Sequence, residues 1–269
     1  MKRTAKVRRR RSEFLSTQGS SRYRGMLALI SVAFVVFAWS LASGLRWVNP
    51  VLMPSPFDVA RAAAAAIADG SLVHNTLASL RRVLEGFAVA MLVAVPLGAF
   101  MGISRTLRGL VEPLIELLRP VPPIAFIPLA ILWFGIGELS KVMIIAYGAF
   151  FPIFVNTMSG FRDVDRVHVR AAQTLGAGRY RLFMDVVLPS AFPQIVTGAR
   201  LGMGMAFIVL VAAELVASSE GLGYLINDAR FSFRTDQIFV GIITIGLLGL
   251  LLNRGLLETE RRLLHWRLL

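Results

Sequence analysis

Long apolar runs are the sequence feature that most restricts how this chain can fold. Six such runs occur, at Met26–Leu45, Val83–Ile103, Val121–Phe134, Val142–Gly160, Ile195–Val216 and Ile238–Leu252. A helix of about 20 apolar residues crosses the hydrocarbon core of a bilayer, and it satisfies its own backbone groups there. Charged residues make up only 17% of the 269 residues, whereas a soluble domain carries about a quarter. We therefore expect an all-α integral membrane protein with about six transmembrane helices.

The third run, Val121–Phe134, is the shortest, and charged residues lie just before it. Glu112, Glu116 and Arg119 fall within the preceding stretch Leu110–Arg119. Two interpretations are open for that stretch: it lies at the membrane interface, or it continues the third helix among other helices.

The basic residues are distributed unevenly between the two sides of the predicted spans. The formal net charge is +13, and with the N-terminus in the cytoplasm 20 of the 29 Lys and Arg residues fall inside and 7 outside. The positive-inside rule therefore favours both termini in the cytoplasm. This pattern explains the charge without nucleic acid as a partner. The basic tail 1–25 is expected to contact anionic membrane lipids.

Between the first two runs, the sequence Ser55-Pro56-Phe57-Asp58 is typical of a helix start. Ser55 is a favourable N-cap, Pro56 fits the first helical position, and Asp58 suits the positive end of the helix dipole. Asp69-Gly70 predicts the end of the same helix.

The connection Phe161–Pro193 is the most informative part of the chain. Asp163 and Asp165 predict the start of a short helix over Val167–Leu175, which Gly176-Ala177-Gly178 then breaks. A second stretch, Arg179–Val187, follows, and Pro189 and Pro193 are expected to start the fifth span. On the residues alone, this connection is either a docking surface or an ordinary amphipathic loop.

This connection resembles the cytoplasmic signature of ATP-binding-cassette importer permeases: Glu-Ala-Ala, three residues, Gly, nine residues, Ile, one residue, Leu-Pro. The chain has the pattern at every spacing, in Ala171, Ala172, Gly176, Val186, Leu188 and Pro189. Arg170 stands where the family has Glu, and Val186 where it has Ile. The resemblance implies that residues 163–189, here named the coupling segment, contact an ATPase subunit. The residues it assigns to this role are Arg170, Ala171, Ala172, Gly176, Ala177, Leu188 and Pro189.

The resemblance extends over about Pro54–Leu252 and favours one branch of the family. The phrases Leu118–Pro128, Leu132–Gly137 and Gly221–Ile226 are similar to permeases for nitrate, alkanesulfonates and taurine. It implies a type I importer permease fold, with a membrane domain over 54–256. The other parts of the chain would be a basic tail (1–25), a first transmembrane helix (26–45) and a cytoplasmic C-terminal tail (257–269).

The same resemblance implies partners, a substrate class and a multi-pass location in the bacterial cell (inner) membrane. The expected partners are two copies of an ATP-binding-cassette ATPase, a periplasmic solute-binding protein and a second permease subunit in a homodimer. The expected substrate is a small anion or zwitterion. The chain itself is not expected to be an enzyme, because its best match to a phosphate-binding loop, Gly135 to Lys141, has Ser140 and Val142 at the required Gly and hydroxyl positions. It has no cysteine, its three histidines lack ligand spacing, and we expect no metal or cofactor.

Two features are candidates for lining the pathway. Four prolines lie within nine residues at the third run, and kinked backbone in membranes often lines a cavity, so Pro122, Pro123 and Pro128 are candidates; the alternative is a bend that neighbouring helices tolerate. Glu214 near the end of the fifth run is another, since a carboxylate inside a bilayer usually faces a cavity or a partner. It could equally reach interfacial water.

The main rival function is that of a self-contained secondary transporter or channel. Such a protein is expected to show inverted repeats or paired charges within its spans. The sequence suggests neither feature, and this favours the importer permease.

Overall fold

The structure is a computed structural model that describes residues 26–27, 30–45, 49 and 51–263, and all regular secondary structure among them is helical. They form two compact units, one ending at Ala62 and the other beginning at Ala63. The first unit contains α1 (Ile30–Gly44), which is apolar but short for a span. The predicted first span, Met26–Leu45, is therefore described only in part, and the basic tail 1–25 lies outside the described residues.

Helix α2 (Pro56–Ala68) begins and ends where the sequence predicts. The Ser55 hydroxyl donates to a carboxylate oxygen of Asp58 over 2.6 Å, and the Asp58 N–H donates to the Ser55 hydroxyl over 3.2 Å. The Ser55 hydroxyl, and then its backbone N–H, hold the pKa of Asp58 below its usual value. After the helix, Gly70 takes φ +80°, a left-handed conformation that ends helices. The predicted helix start and stop are confirmed.

Three long helices form the core of the second unit. Helix α6 (Glu138–Arg162) packs between α3 (Ser71–Ile103) and α9 (Leu188–Ala217). Small and branched apolar residues fill the contacts, and the completely buried ones include Ala94, Ile145, Ala149, Ile153 and Leu210. The last two helices of the described residues, α10 (Leu222–Phe231) and α11 (Thr235–Leu263), pack against each other and against α9.

A close approach of α3 to α6 depends on Gly98. A Cβ at this position would lie 2.9 Å from the Phe154 backbone oxygen. We expect Gly98→Val to destabilise the protein by about 1–3 kcal/mol, because overpacking forces the two helices apart. Thermal unfolding in detergent measures the effect. Gly204→Val is the control, since nothing lies within 4 Å of a Cβ there; equal losses in both variants would contradict this packing.

The third predicted span, Val121–Phe134, is helical from Pro123 onward. Helix α4 (Arg105–Leu118) is followed by a 3₁₀ turn (Pro123–Phe126) and α5 (Ile127–Phe134), and the chain bends by 86° between the two halves. The stretch before the third run therefore does not continue its helix. The physical reason is the group Pro120, Pro122 and Pro123, which lack N–H donors. Pro122, directly before Pro123, is extended at φ −62° and ψ 133°.

Fewer of the described helices qualify as complete membrane spans than the six that the sequence predicts, and the first predicted span is described only in part. Within the described residues, four helices are long and apolar enough to cross a membrane, or five if the bent pair counts as one span. The four are Ser71–Ile103, Glu138–Arg162, Arg179–Ala217 and Thr235–Thr259. An all-helical membrane fold is thus confirmed, whereas a count of six is not.

The fifth span begins earlier than its prolines indicate. The α-helical part starts at Leu188, with Pro189 in its first turn as predicted, but Pro193 lies inside it. Helix α8 (Arg179–Arg181) and a π-helical stretch (Leu182–Val187) precede it without a break, so that Arg179–Ala217 is one helix of 39 residues. Because Pro189 has no N–H to donate, the shifted hydrogen bonding of the π-helix accommodates it without ending the helix.

Candidate functional site

The coupling segment forms a short helix followed by a sharp turn. Helix α7 (Arg166–Thr174) starts at Asp165, whose carboxylate accepts from the Val167 N–H over 2.8 Å. Gly176 then takes φ +80°, a conformation that side chains with a Cβ rarely adopt. Nothing lies within 4 Å of a Cβ built on Gly176. This glycine is therefore required by the backbone turn and not by packing, and the predicted break is confirmed.

The turn folds α7 back toward the start of the long helix. A cavity of about 670 Å³ lies between them, and its lining includes Asp165, His168, Ala171, Val186 and Pro189. Two of the predicted coupling residues, Ala171 and Pro189, therefore share one cavity. Four more are partly or fully exposed beside it, namely Arg170, Ala172, Gly176 and Ala177, and Leu188 is half-buried.

The exposed surface of the coupling segment combines arginine side chains with apolar side chains. Helix α7 has no buried residue, and Leu175 and Tyr180 are 88% and 74% exposed. Four arginines are also exposed and form no ion pair within the described part of the chain: Arg166, Arg170, Arg179 and Arg181. Exposed apolar groups bordered by unpaired charges are typical of a surface that binds a protein partner.

A second cluster lies at the opposite end of α6, where a buried arginine joins three helices and a loop. Arg82 on α3 is completely buried. Its guanidinium forks onto the Glu138 carboxylate with bonds of 2.6 and 2.8 Å, and donates to Glu214 over 2.8 Å. It also donates to the Glu220 backbone oxygen and carboxylate over 2.7 and 2.9 Å. We name these four residues the Arg82 cluster.

The carboxylate of Glu214 is held entirely by protein groups. It is 1% exposed, and besides Arg82 it accepts from the Ser79 hydroxyl over 2.8 Å and the Gly223 N–H over 2.8 Å. Gly221, at φ +112°, turns the loop that brings these donors to it. In the described protomer Glu214 therefore does not reach interfacial water. Whether it lines a pathway stays a prediction.

The Arg82 cluster is not predicted by the sequence pattern. Arg82 falls among the outer charges of the predicted topology, and no paired charges are expected within the spans; the buried ion pair of Arg82 with Glu214 shows that this expectation is wrong. A signal was present, because Arg82, Glu138 and Glu214 all lie at the ends of apolar runs that the positive-inside rule places on the same side. The expected lack of paired charges therefore no longer counts against a secondary transporter.

The predicted pathway prolines lie at the broken span. Pro122 and Pro123 fall at the bend, and Pro128 is the second residue of α5. Pro123 is half-buried and packs near Gly148 of α6, while Pro122 and Pro128 are exposed. The structure therefore brings these prolines together at one bend, and their pathway role stays a prediction.

Two curated proteins illustrate the similarity of this chain to known transporters. The chain is 38% identical over 245 residues to the taurine transport system permease protein TauC of Escherichia coli, covering 89% of each chain. It is 34% identical over 198 residues to the bicarbonate transport system permease protein CmpB of Synechococcus elongatus, covering 73% of this chain and 71% of the relative. The predicted resemblance to this branch of importer permeases is confirmed.

A solved structure and a family model agree with these relatives. A chain in a crystal structure of an amino acid ABC transporter with histidines superposes with a TM-score of 0.58 at 16% identity, covering 74% of this chain and 97% of that one. This likeness concerns the fold alone. The model of the family described as "binding-protein-dependent transport system inner membrane component" matches residues 94–257, more than half of the chain. The chain belongs to this family of ABC importer permeases.

Proposed function

We propose that this chain forms the translocation pathway of an ATP-driven importer, and that a separate ATPase drives it through the coupling segment. The observation that carries the proposal is the exposed turn at Gly176, in a segment with the family signature spacing and no buried residue in α7. Two copies of the ATPase would bind two permease subunits. Membership of a binding-protein-dependent family supports a binding protein as the partner on the other face.

In this proposal the coupling segment lies at the cytoplasmic face and the Arg82 cluster at the outer face. The continuous helix Arg179–Ala217 joins them, since it leaves the coupling segment at Arg179 and carries Glu214 near its other end. These two residues are about 50 Å apart along the helix axis. A displacement of the coupling segment by the ATPase therefore moves a rigid element that reaches the outer charges.

Nucleotide can drive transport only if it binds unequally to two conformations. The ATPase would close on ATP and open after hydrolysis, and the helix Arg179–Ala217 would transmit each change to the membrane. A ligand with equal affinity for both states shifts nothing, however tightly it binds.

The substrate we propose is a small molecule that carries an oxyanion. The relatives are named for taurine and for bicarbonate, which share small size and a resonance-stabilised oxyanion, while taurine also carries an ammonium group. Solute selection would begin in the binding protein, which is another chain.

Reconstitution tests this proposal directly. We expect ATP-dependent uptake of taurine or of an alkanesulfonate only when proteoliposomes contain this chain, an ATPase subunit and a loaded binding protein. Omitting each component in turn is the control, and ATP hydrolysis is measured in parallel. Uphill uptake by the purified chain alone would contradict the proposal and support a self-contained transporter.

A further inference from the structure

A cavity beside the Arg82 cluster carries polar groups that the proposed coupling does not use. Its volume is about 540 Å³, and its polar lining consists of Glu138, Lys141, Ser218 and Ser219, with apolar walls from Ile131 and Val216. It lies at the end of the bundle that we assign to the outer face, where a binding protein would release its solute.

Lys141 is the most unusual group in this lining. It is 5% exposed, and its ammonium donates to a Glu138 carboxylate oxygen over 2.9 Å. An ammonium has three donors, and the other two find no acceptor among the described residues. A buried cation with unused donors costs free energy unless a further acceptor binds to it. Two N–H groups of the Lys141 ammonium are therefore available to bind an oxyanion.

Two further features support an oxyanion next to Lys141. Helix α6 begins at Glu138, and no side chain caps its free N–H groups at Gly137, so the positive end of the helix dipole lies at the cavity. Ser219 is exposed at the cavity, and no hydrogen bond of its hydroxyl is found within the described part of the chain.

The charges around the cavity favour an occupant that carries both signs of charge. With His74, which bonds Glu220, in its neutral form, the Arg82 cluster and Lys141 hold two cations and three carboxylates, a net charge of −1. Glu214 is buried, whereas Glu138 is 48% exposed and lines the cavity. The Glu138 carboxylate accepts from Arg82 through both oxygens and from Lys141 through one, which leaves one of its roughly four lone pairs for a further donor beside Lys141. An ammonium group suits Glu138 and an oxyanion suits Lys141.

We infer that this cavity is a binding site for a small zwitterion, an amino acid or aminosulfonate whose ammonium contacts Glu138 and whose oxyanion contacts Lys141. The inference rests on the proposed function, because it makes the permease itself a second point of substrate selection after the binding protein. It also separates taurine-like substrates from plain anions of the same size.

Binding of radiolabelled taurine to the detergent-solubilised permease–ATPase complex, without binding protein, tests the inference. We expect saturable binding that β-alanine displaces, since β-alanine keeps an ammonium and an oxyanion. Isethionate, in which a hydroxyl replaces the ammonium, should compete about tenfold more weakly or worse, because a hydrogen bond between charged groups is lost. Equal competition by isethionate, or no saturable binding, would overturn the inference.

Two variants locate the binding in this cavity. Lys141→Met removes the oxyanion donor, and Ser219→Leu fills the cavity from an exposed position without touching the core; each should weaken taurine binding about tenfold or more. Arg81→Met is the matched control, since Arg81 is exposed on the same helix as Arg82 and pairs with Glu85. Unchanged binding in both cavity variants would overturn the site.

The failure of this inference is distinguishable from failure of the proposed function. Uptake driven by ATP and the loaded binding protein is measured on the same preparations. Normal uptake by the wild-type complex without saturable taurine binding overturns the site and leaves the importer intact. Absence of any ATP-driven uptake by the wild-type complex, with every component present, overturns the proposed function instead.

Discussion

Replacement of Arg82 by methionine is expected to lower the free energy of unfolding by about 3–5 kcal/mol. Arg82 is completely buried and neutralises carboxylates from two helices and a loop. Methionine fills much of the same volume but leaves Glu214 buried at 1% exposure without its cation. The cost of an unpaired buried charge is far larger than the small net value of the intact pair.

Thermal and denaturant unfolding in detergent, followed by the loss of monodisperse protein, measures this effect. Arg81→Met changes the neighbouring residue, which is 73% exposed on its side chain, and should have little effect. The double variant Arg82→Met/Glu214→Gln should recover part of the loss, because it removes the buried charge that the single variant leaves unpaired. If Arg82→Met and Arg81→Met unfold alike, the Arg82 cluster does not hold the helices together.

Arg82→Lys separates charge from geometry in the same cluster. A guanidinium donates in a fixed fork, whereas an ammonium is a point charge with three donors. Arg82 uses its fork on Glu138 and reaches two further acceptor residues. We expect Arg82→Lys to fall between the wild type and Arg82→Met in the free energy of unfolding. A lysine variant as stable as the wild type would show that charge alone is sufficient.

Replacement of Gly176 by valine is expected to abolish ATP-driven uptake while the membrane domain stays folded. At φ +80° a β-branched residue is strained, so the chain must rebuild the turn between α7 and the long helix. Nothing packs within 4 Å of this position, and the core helices are therefore unaffected. In the proposed coupling, a displaced α7 would no longer fit the ATPase, and we expect uptake to fall by at least about tenfold, as for the loss of a central interface contact.

Gly178→Val provides the matched control two residues away. Gly178 takes φ −67° and ψ 165°, a conformation open to valine, and nothing lies within 4 Å of its Cβ position. Uptake and ATP hydrolysis are measured in proteoliposomes, and thermal unfolding verifies that both variants are folded. Full uptake by Gly176→Val would refute coupling through this turn; equal losses in both variants would indicate that the contact depends on small size at the surface rather than on the turn.

The two predictions test opposite ends of one mechanical element. The Arg82 cluster joins α3, α6 and the end of α9, while the coupling segment contacts the rest of the protomer chiefly through the π-helical stretch and the start of α9. The end that carries the Arg82 cluster is thus held by buried ion pairs, whereas the end that carries the coupling segment is exposed and has few contacts with the core. Such a division is suited to a helix that is moved at one end and acts at the other.

The sequence by itself determined the features that depend on the surrounding solvent or on residues close together along the chain. Apolar composition predicts helices in lipid because unpaired backbone groups are too costly there. The caps at Ser55 and Asp165 and the turn at Gly176 are satisfied by atoms within three residues, so local chemistry is enough to predict them. The family signature is likewise a matter of spacing along the chain.

Only the tertiary structure decided the features that depend on residues far apart in sequence or on the path of the chain after a proline. Arg82 is an unremarkable flanking cation until packing brings Glu138 and Glu214 to it, from 56 and 132 positions away. Likewise, the sequence alone allows Pro189 either to end a helix or to follow a π-helical stretch within a continuous helix. It also does not specify the angle by which the chain bends at residues 120–123. These outcomes depend on which neighbours compensate the missing hydrogen bonds and charges, and that information is not contained in any local stretch of sequence.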